Sequence, residues 1–121
     1  MARVTFVDET TSGSRSDGWG LDIAEERLAL RELIRRRVFQ EVAEFHARGA
    51  GPGGSFRGLV QPKSGGRVDP ETQCELALAA FARNGFLVLV GDRQMEQLDE
   101  EIDLRLGIEV TFLKLVPLVG G

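Results

Sequence analysis

The sequence predicts an α+β domain, with strands toward both ends and two helices between them. Three observations carry this reading. Apolar residues alternate with polar ones near the start and again in the last third, a three-and-four spacing replaces that alternation from Leu30 onward, and Asp69-Pro70-Glu71 marks the start of a second helix.

Val4 and Phe6, alternating with Thr5 and Val7, predict a short first strand. Asp8 to Gly18 reads as a turn rich in Thr, Ser, Gly, Arg and Asp, with Asp17-Gly18 as its hairpin signal. Trp19, Leu21 and Ile23 alternate with Gly20 and Asp22, so a second strand is expected to return antiparallel to the first. Leu30, Leu33, Ile34, Val38, Val42 and Phe45 then line one face of a helix, while Arg31, Glu32, Arg35, Gln40, Glu41 and Glu44 face elsewhere. Gly49 ends that helix.

Residues 49–69 change in composition to glycine, proline, serine and basic residues, with Phe56, Leu59 and Val60 as the apolar anchors. Their Gly49-Ala50-Gly51-Pro52-Gly53-Gly54 matches the spacing of a dinucleotide fingerprint. A helix precedes it, however, and none follows directly to hold a pyrophosphate at its N-terminus, so the nucleotide reading fails mechanically. At 69–71, Asp caps the free N–H groups, Pro takes the first helical position and Glu sits in the first turn. Cys74, Ala77, Leu78 and Phe81 form the apolar stripe of this second helix, and Asn84-Gly85 stops it. Phe86 to Val90 suits a central buried strand. Gly91-Asp92-Arg93 is a tight turn, Gln94-Met95 a short return, Leu98 to Leu104 an acidic connection with apolar anchors, and Glu109 to Val116 a long final strand. Pro117 ends its pairing, and Leu118-Val119-Gly120-Gly121 projects beyond.

The length of 121 residues fits a single domain, 1–121, with one modest core. A net charge of −4 gives a polyanion nothing to be drawn to, which argues against nucleic acid as a partner. The basic run Arg31, Arg35, Arg36 and Arg37 is interleaved with glutamates and reads as a solvated helix face. The single cysteine, Cys74, fits a reducing cytoplasm and lies on an apolar stripe as a small core residue. One His and one Cys far apart make no metal site, and no apolar stretch approaches a membrane span. No acid–base pair or activated nucleophile is visible, so no enzyme activity and no bound cofactor are expected.

This order of elements resembles the β-grasp fold of ubiquitin and of the small sulfur-carrier proteins, among them the small subunit of molybdopterin synthase, the thiamine-type carriers and the eukaryotic ubiquitin-related modifier. Phe86 to Gly121 carries the likeness most closely. Leu89-Val90-Gly91-Asp92-Arg93-Gln94-Met95 resembles the turn between the third and fourth strands of those proteins, Leu98 to Leu104 their acidic crossover, and Glu109-Val110-Thr111-Phe112 the start of their last strand. Leu28 to Ile34 is similar to the way they enter the first helix. Pro117-Leu118-Val119-Gly120-Gly121 looks like the apolar, proline-containing Gly-Gly tail of a sulfur carrier more than the arginine-rich tail of ubiquitin. The resemblance covers roughly residues 3–48 and 86–121. Residues 49–85, a glycine-rich loop and a helix, are an insertion that plain ubiquitin-like domains lack.

The chemistry of such a tail is specific. A carboxylate is a poor electrophile and must become an acyl-adenylate or thioester before a nucleophile attacks it. The partner that activates it draws the tail through a narrow channel to ATP, where side chains on the last residues would obstruct passage and glycine has none. The resemblance implies that Gly121, with Gly120, is the point of acyl attachment, that Pro117, Leu118 and Val119 dock the tail, and that a ubiquitin-activating type of adenylating enzyme is the partner and uses the ATP. The activated glycine is expected to pass either to a sulfur-acceptor enzyme as a thiocarboxylate or to lysines of target proteins. With glycine already terminal, no maturation cleavage is expected. The alternative is a non-conjugated β-grasp interaction module that binds through its sheet face or its inserted helix.

Overall fold

The computed structural model of the chain describes residues 2–48, 58–62, 68–105 and 107–115. It is an α+β structure with a five-stranded mixed sheet, a separate two-stranded ladder and two helices. The chain divides into two compact units, one drawn from Met1–Leu30 and Asn84–Gly121, the other from Arg31–Arg83.

The first unit holds the strands: β1 (Ala2–Thr10), β2 (Trp19–Ile23), β3 (Arg27–Ala29), β4 (Phe86–Val90), β5 (Arg93–Met95), β6 (Glu101–Asp103) and β7 (Ile108–Lys114). The larger sheet runs β2-β1-β7-β4-β5. Within it β1 and β7 are parallel and every other pair is antiparallel. The first and last strands of the chain are therefore neighbours inside the sheet. Register sorts the side chains: Val4, Phe6, Val88, Val110 and Phe112 share one face and are fully buried. On that face the Phe112 ring lies 5.8 Å from Phe6 and 6.0 Å from Phe86, and Trp19 tilts onto Phe6 at 4.9 Å. Such tilted ring pairs add to the gain from burying their area.

The opening hairpin forms with Phe6 opposite Trp19 and Ala2 opposite Ile23, and it reverses within the expected Asp8–Gly18 span, though not at the Asp17-Gly18 signal. β1 continues to Thr10 because β7 pairs with it as far as Thr10↔Lys114, and this carries the reversal outward. The chain turns at Thr10–Ser14, where Gly13 N–H donates to Thr10 O (3.0 Å) and Gly13 takes the positive φ of +98°. At Gly18 a Cβ would sit 2.7 Å from Thr5 Cγ2, so a side chain there would force the Thr5 methyl to shift.

Two short strands, β3 and β6, were not expected. They pair antiparallel with Leu28 opposite Ile102, both buried. The acidic connection is thus partly a strand that turns Ile102 and Leu104 inward and Glu101 and Asp103 outward. Leu104 N–H donates to Glu26 O (2.8 Å) and Leu30 N–H to Glu100 O (2.9 Å), extending the ladder at its ends.

The second unit holds α1 (Leu30–Ala47) beyond its first residue, the segment Gly58–Pro62, and α2 (Pro70–Ala82). Leu33, Ile34, Val38 and Val42 are buried as the spacing predicts, and Phe45 is half-buried. Arg37 corrects the reading of a solvated basic face: it is 1% exposed. At α2, the Asp69 carboxylate accepts from Thr72 N (2.9 Å) and Thr72 Oγ1 (3.0 Å), so the predicted cap forms, and Asn84 at φ +60° follows the helix. The buried stripe of α2 is Gln73, Cys74, Ala77 and Ala80, whereas Leu78 and Phe81 are only half-buried. The Gly49-to-Gly54 run and Phe56 lie outside the described residues.

Candidate functional site

The tail of the chain grows out of β7, and β7 is an interior strand. Across it Thr5, Phe6 and Val7 of β1 stand opposite Glu109, Val110 and Thr111, while Leu87, Val88 and Leu89 of β4 stand opposite Leu113, Phe112 and Thr111. β-Branched and aromatic residues at 110–112 suit a strand flanked on both edges. Its end is held from both sides: Thr11 N–H donates to Lys114 O at 3.1 Å, and the N–H of the following residue, Leu115, reaches Gly85 O at 3.5 Å. The strand stops at Lys114, short of the Val116 boundary expected from sequence. Leu115 then stands 42% exposed. The predicted site residues Pro117, Leu118, Val119, Gly120 and Gly121 lie outside the described residues, as does Val116.

Charge at the two ends of the β1–β7 pair is locally satisfied. Arg15 bonds Glu9 of β1 at 2.6 Å and Glu109 of β7 at 2.7 Å, tying the hairpin arm across the parallel pair. Its guanidinium is held charged chiefly by the Glu9 hydrogen bond. In the acidic segment, Glu100 pairs with Arg93, and Asp103 is gripped by Arg105 through its side chain (2.6 Å) and its backbone N–H (3.0 Å). The Arg105 side-chain bonds, then that backbone bond, hold the Asp103 carboxyl well below the usual carboxylate range. These pairings fit a solvated acidic connection.

Cys74, Trp19 and His46 read as structure. Cys74 is 2% exposed, and burial pushes its thiol up against the weaker opposing pull of Arg35, so the reactive thiolate is disfavoured. Trp19 is half-buried on Phe6 and His46 is exposed in the last turn of α1. Among the described residues no group of three or more His, Cys, Asp or Glu could hold a metal ion, and no helix is long and apolar enough to cross a membrane.

Sequence reasoning missed one constellation, in the second unit. Arg37 Nη2 lies 3.2 Å from Glu41 Oε2, with the two side chains 1% and 13% exposed. The other Glu41 oxygen, Oε1, accepts the backbone N–H of Leu59 (3.2 Å), and Gln73 Nε2 donates to the next carbonyl, Val60 O (3.1 Å). Arg35 adds a two-pronged bond to Glu71 (2.6 and 3.1 Å) and lies 4.5 Å above the Phe39 ring, joining α1 to α2. The signal was present in the spacing. Arg37 and Glu41 are four apart, and helical spacing puts both among Leu30, Leu33 and Ile34, which corrects the expectation that Glu41 faces elsewhere.

No protein-family model matches the chain, nor does any curated protein or solved structure.

Proposed function

We propose that the chain is a ubiquitin-like carrier or protein modifier of β-grasp type, whose C-terminal glycine carboxylate is activated by an adenylating partner. The observation that carries this is the position of β7. It is an interior strand parallel to β1, its end is bonded on both flanks through Lys114 O and Leu115 N–H, and Leu115 to Gly121 follow it. A β-grasp sheet sets its first and last strands side by side in this way, and the hairpin, helix and returning strands follow in the expected order. The six residues after Leu115 would reach at most about 20 Å when extended, enough to thread a narrow channel while the sheet stays outside it.

In the proposed chemistry a Gly121 carboxylate oxygen attacks the α-phosphorus of ATP, and pyrophosphate leaves. Hydrosulfide, supplied by a sulfur-donating partner, then attacks the acyl carbon and displaces AMP to give a thiocarboxylate. In the modifier branch, a partner cysteine takes the acyl group as a thioester and passes it to a target lysine. The chain contributes no catalytic side chain and binds no cofactor itself. The reading belongs to the cytoplasm, where the ATP-using partner works.

The test is incubation of the full chain with ATP and an adenylating enzyme of the ubiquitin-activating type. The expected product is an acyl-adenylate or thioester that disappears when Gly121 is deleted. Equal reaction of the deleted chain removes the proposal.

A second reading, a non-conjugated interaction module, is favoured by the buried polar contacts of the second unit, which a bare carrier does not require. It gains if partner binding survives loss of the tail but not Leu78→Asp or removal of residues 50–68.

A further inference from the structure

Asn84 is the chain's only asparagine, and Gly85 follows it directly. The pair lies in the short connection between α2 and β4, and both residues are exposed. Asn84 holds φ +60°, the left-handed conformation, just past the end of α2. Asparagine is among the few residues besides glycine that adopt it readily. The fold therefore selects this residue type here. The same choice sets a side-chain amide beside the N–H of a glycine, and that pair has chemistry of its own.

The Gly85 nitrogen attacks Cγ, the side-chain carbonyl carbon of Asn84. The new N–Cγ bond closes a five-membered succinimide, and the side-chain nitrogen leaves as ammonia. Water then opens the ring at either carbonyl. One opening gives aspartate. The other gives isoaspartate, in which the main chain runs through the former side chain and is one methylene longer. Glycine carries no side chain to hinder the approach. The pair also lies outside the helix and strand ladders, whose hydrogen bonds would hold the peptide against the rotation that the attack requires.

The consequence follows from what Gly85 holds. Its carbonyl receives Leu115 N–H at 3.5 Å, and the next residue, Phe86, stands opposite Lys114 at the end of the β4–β7 ladder. A methylene added at 84 displaces Gly85 from Leu115. The other flank, where Thr11 N–H donates to Lys114 O, is remote from the change. Aspartate at 84 adds a charge without lengthening the main chain, so it leaves the Gly85 bond in place.

We propose that Asn84 is a site of spontaneous deamidation, and that its isoaspartyl product unfastens the end of β7 on the β4 side. The modification needs only water, and neither ATP nor Gly121, so it stands apart from the tail chemistry.

The experiment ages the full folded chain in warm, mildly alkaline buffer. Intact mass follows the exchange of an amide for an acid, and peptide mapping locates it. Isoaspartate at 84 is counted by methyl transfer from S-adenosylmethionine with protein isoaspartyl methyltransferase. Conversion at Asn84 is expected, with isoaspartate as a product, and Asn84→Gly, which keeps the backbone freedom without the amide, should show neither signal there. Lys-C endoprotease then reads the strand end. Cleavage after Lys114 is expected to be at least about fivefold faster in the isoaspartyl chain than in the fresh chain, and unchanged in fresh Asn84→Asp. A folded chain that keeps its amide throughout overturns the site. An isoaspartyl chain cut after Lys114 no faster than the fresh chain, or no faster than Asn84→Asp, overturns the link to β7.

Discussion

The backbone N–H of Thr11 donates to the carbonyl oxygen of Lys114 at 3.1 Å. The bond lies one step beyond Thr10↔Lys114, the last pair of the β1–β7 ladder, and fastens the end of β7 from the β1 side. Gly85 O receives Leu115 N–H on the other flank, so the chain leaves the sheet from a base held on both edges.

Thr11→Pro removes that donor. The expected cost is about 1–2 kcal/mol, from the lost bond and the restricted backbone. It should appear in urea unfolding as a lower midpoint with the slope unchanged. An unmoved midpoint would mean that the bond does not secure the strand end.

Phe112→Ala should be among the most damaging single changes in the first unit. The ring is 0% exposed and meets both Phe6 and Phe86, so a cavity replaces contacts on two strands. The expected loss is about 3–5 kcal/mol. Leu113→Ala, on the opposite and half-buried side of the same strand, should cost clearly less in the same denaturation series.

Arg37→Met leaves the Glu41 carboxylate 13% exposed and without its arginine. Breaking one side of a buried pair costs about 3 kcal/mol or more. Arg37→Met combined with Glu41→Met should recover part of that loss despite the missing bond to Leu59. A neutral single substitution would contradict the buried pairing.

Acid should weaken the chain in a defined window. The carboxyls of Asp69, Glu71 and Asp103 are all depressed, by hydrogen bonds from Thr72, Arg35 and Arg105 respectively. Because folding lowers these values, the stability they contribute is complete above the ordinary carboxylate range, about pH 4, and is lost as pH falls through the folded values. Asp69→Asn keeps a capping oxygen without a titrating group, so it should flatten the fall of stability below about pH 4. A profile as steep as that of the unaltered chain would count against the cap as a titrating contributor.

The parts of this structure legible in the sequence are those with a long period or strong boundary chemistry. Leu30, Leu33, Ile34, Val38 and Val42 defined α1 unaided, and Asp69-Pro70 placed the start of α2. β3 and β6 escaped because three residues show no period, and Leu28 meets Ile102 only once the chain between them has folded. The hairpin reverses inside the expected Asp8–Gly18 span, but at Thr10–Ser14 rather than at Asp17-Gly18, because β7, remote in sequence, extends β1 past its own apolar alternation. Arg37 and Gln73 escaped for a different reason. Residue type argued for solvent while position argued for the core, and position prevailed because each found a polar partner there. Of the candidate tail, the sequence supplies the Gly-Gly motif and the structure supplies the strand that leads toward it.

Intact-mass spectrometry of the protein isolated from its native cell tests the central claim most directly. The account predicts a species ending at Gly121 that is either heavier by the exchange of one oxygen for sulfur or joined through that glycine to another protein. A population carrying only an unmodified Gly121 carboxylate, or a chain in which residue 121 is not the terminus, would contradict it.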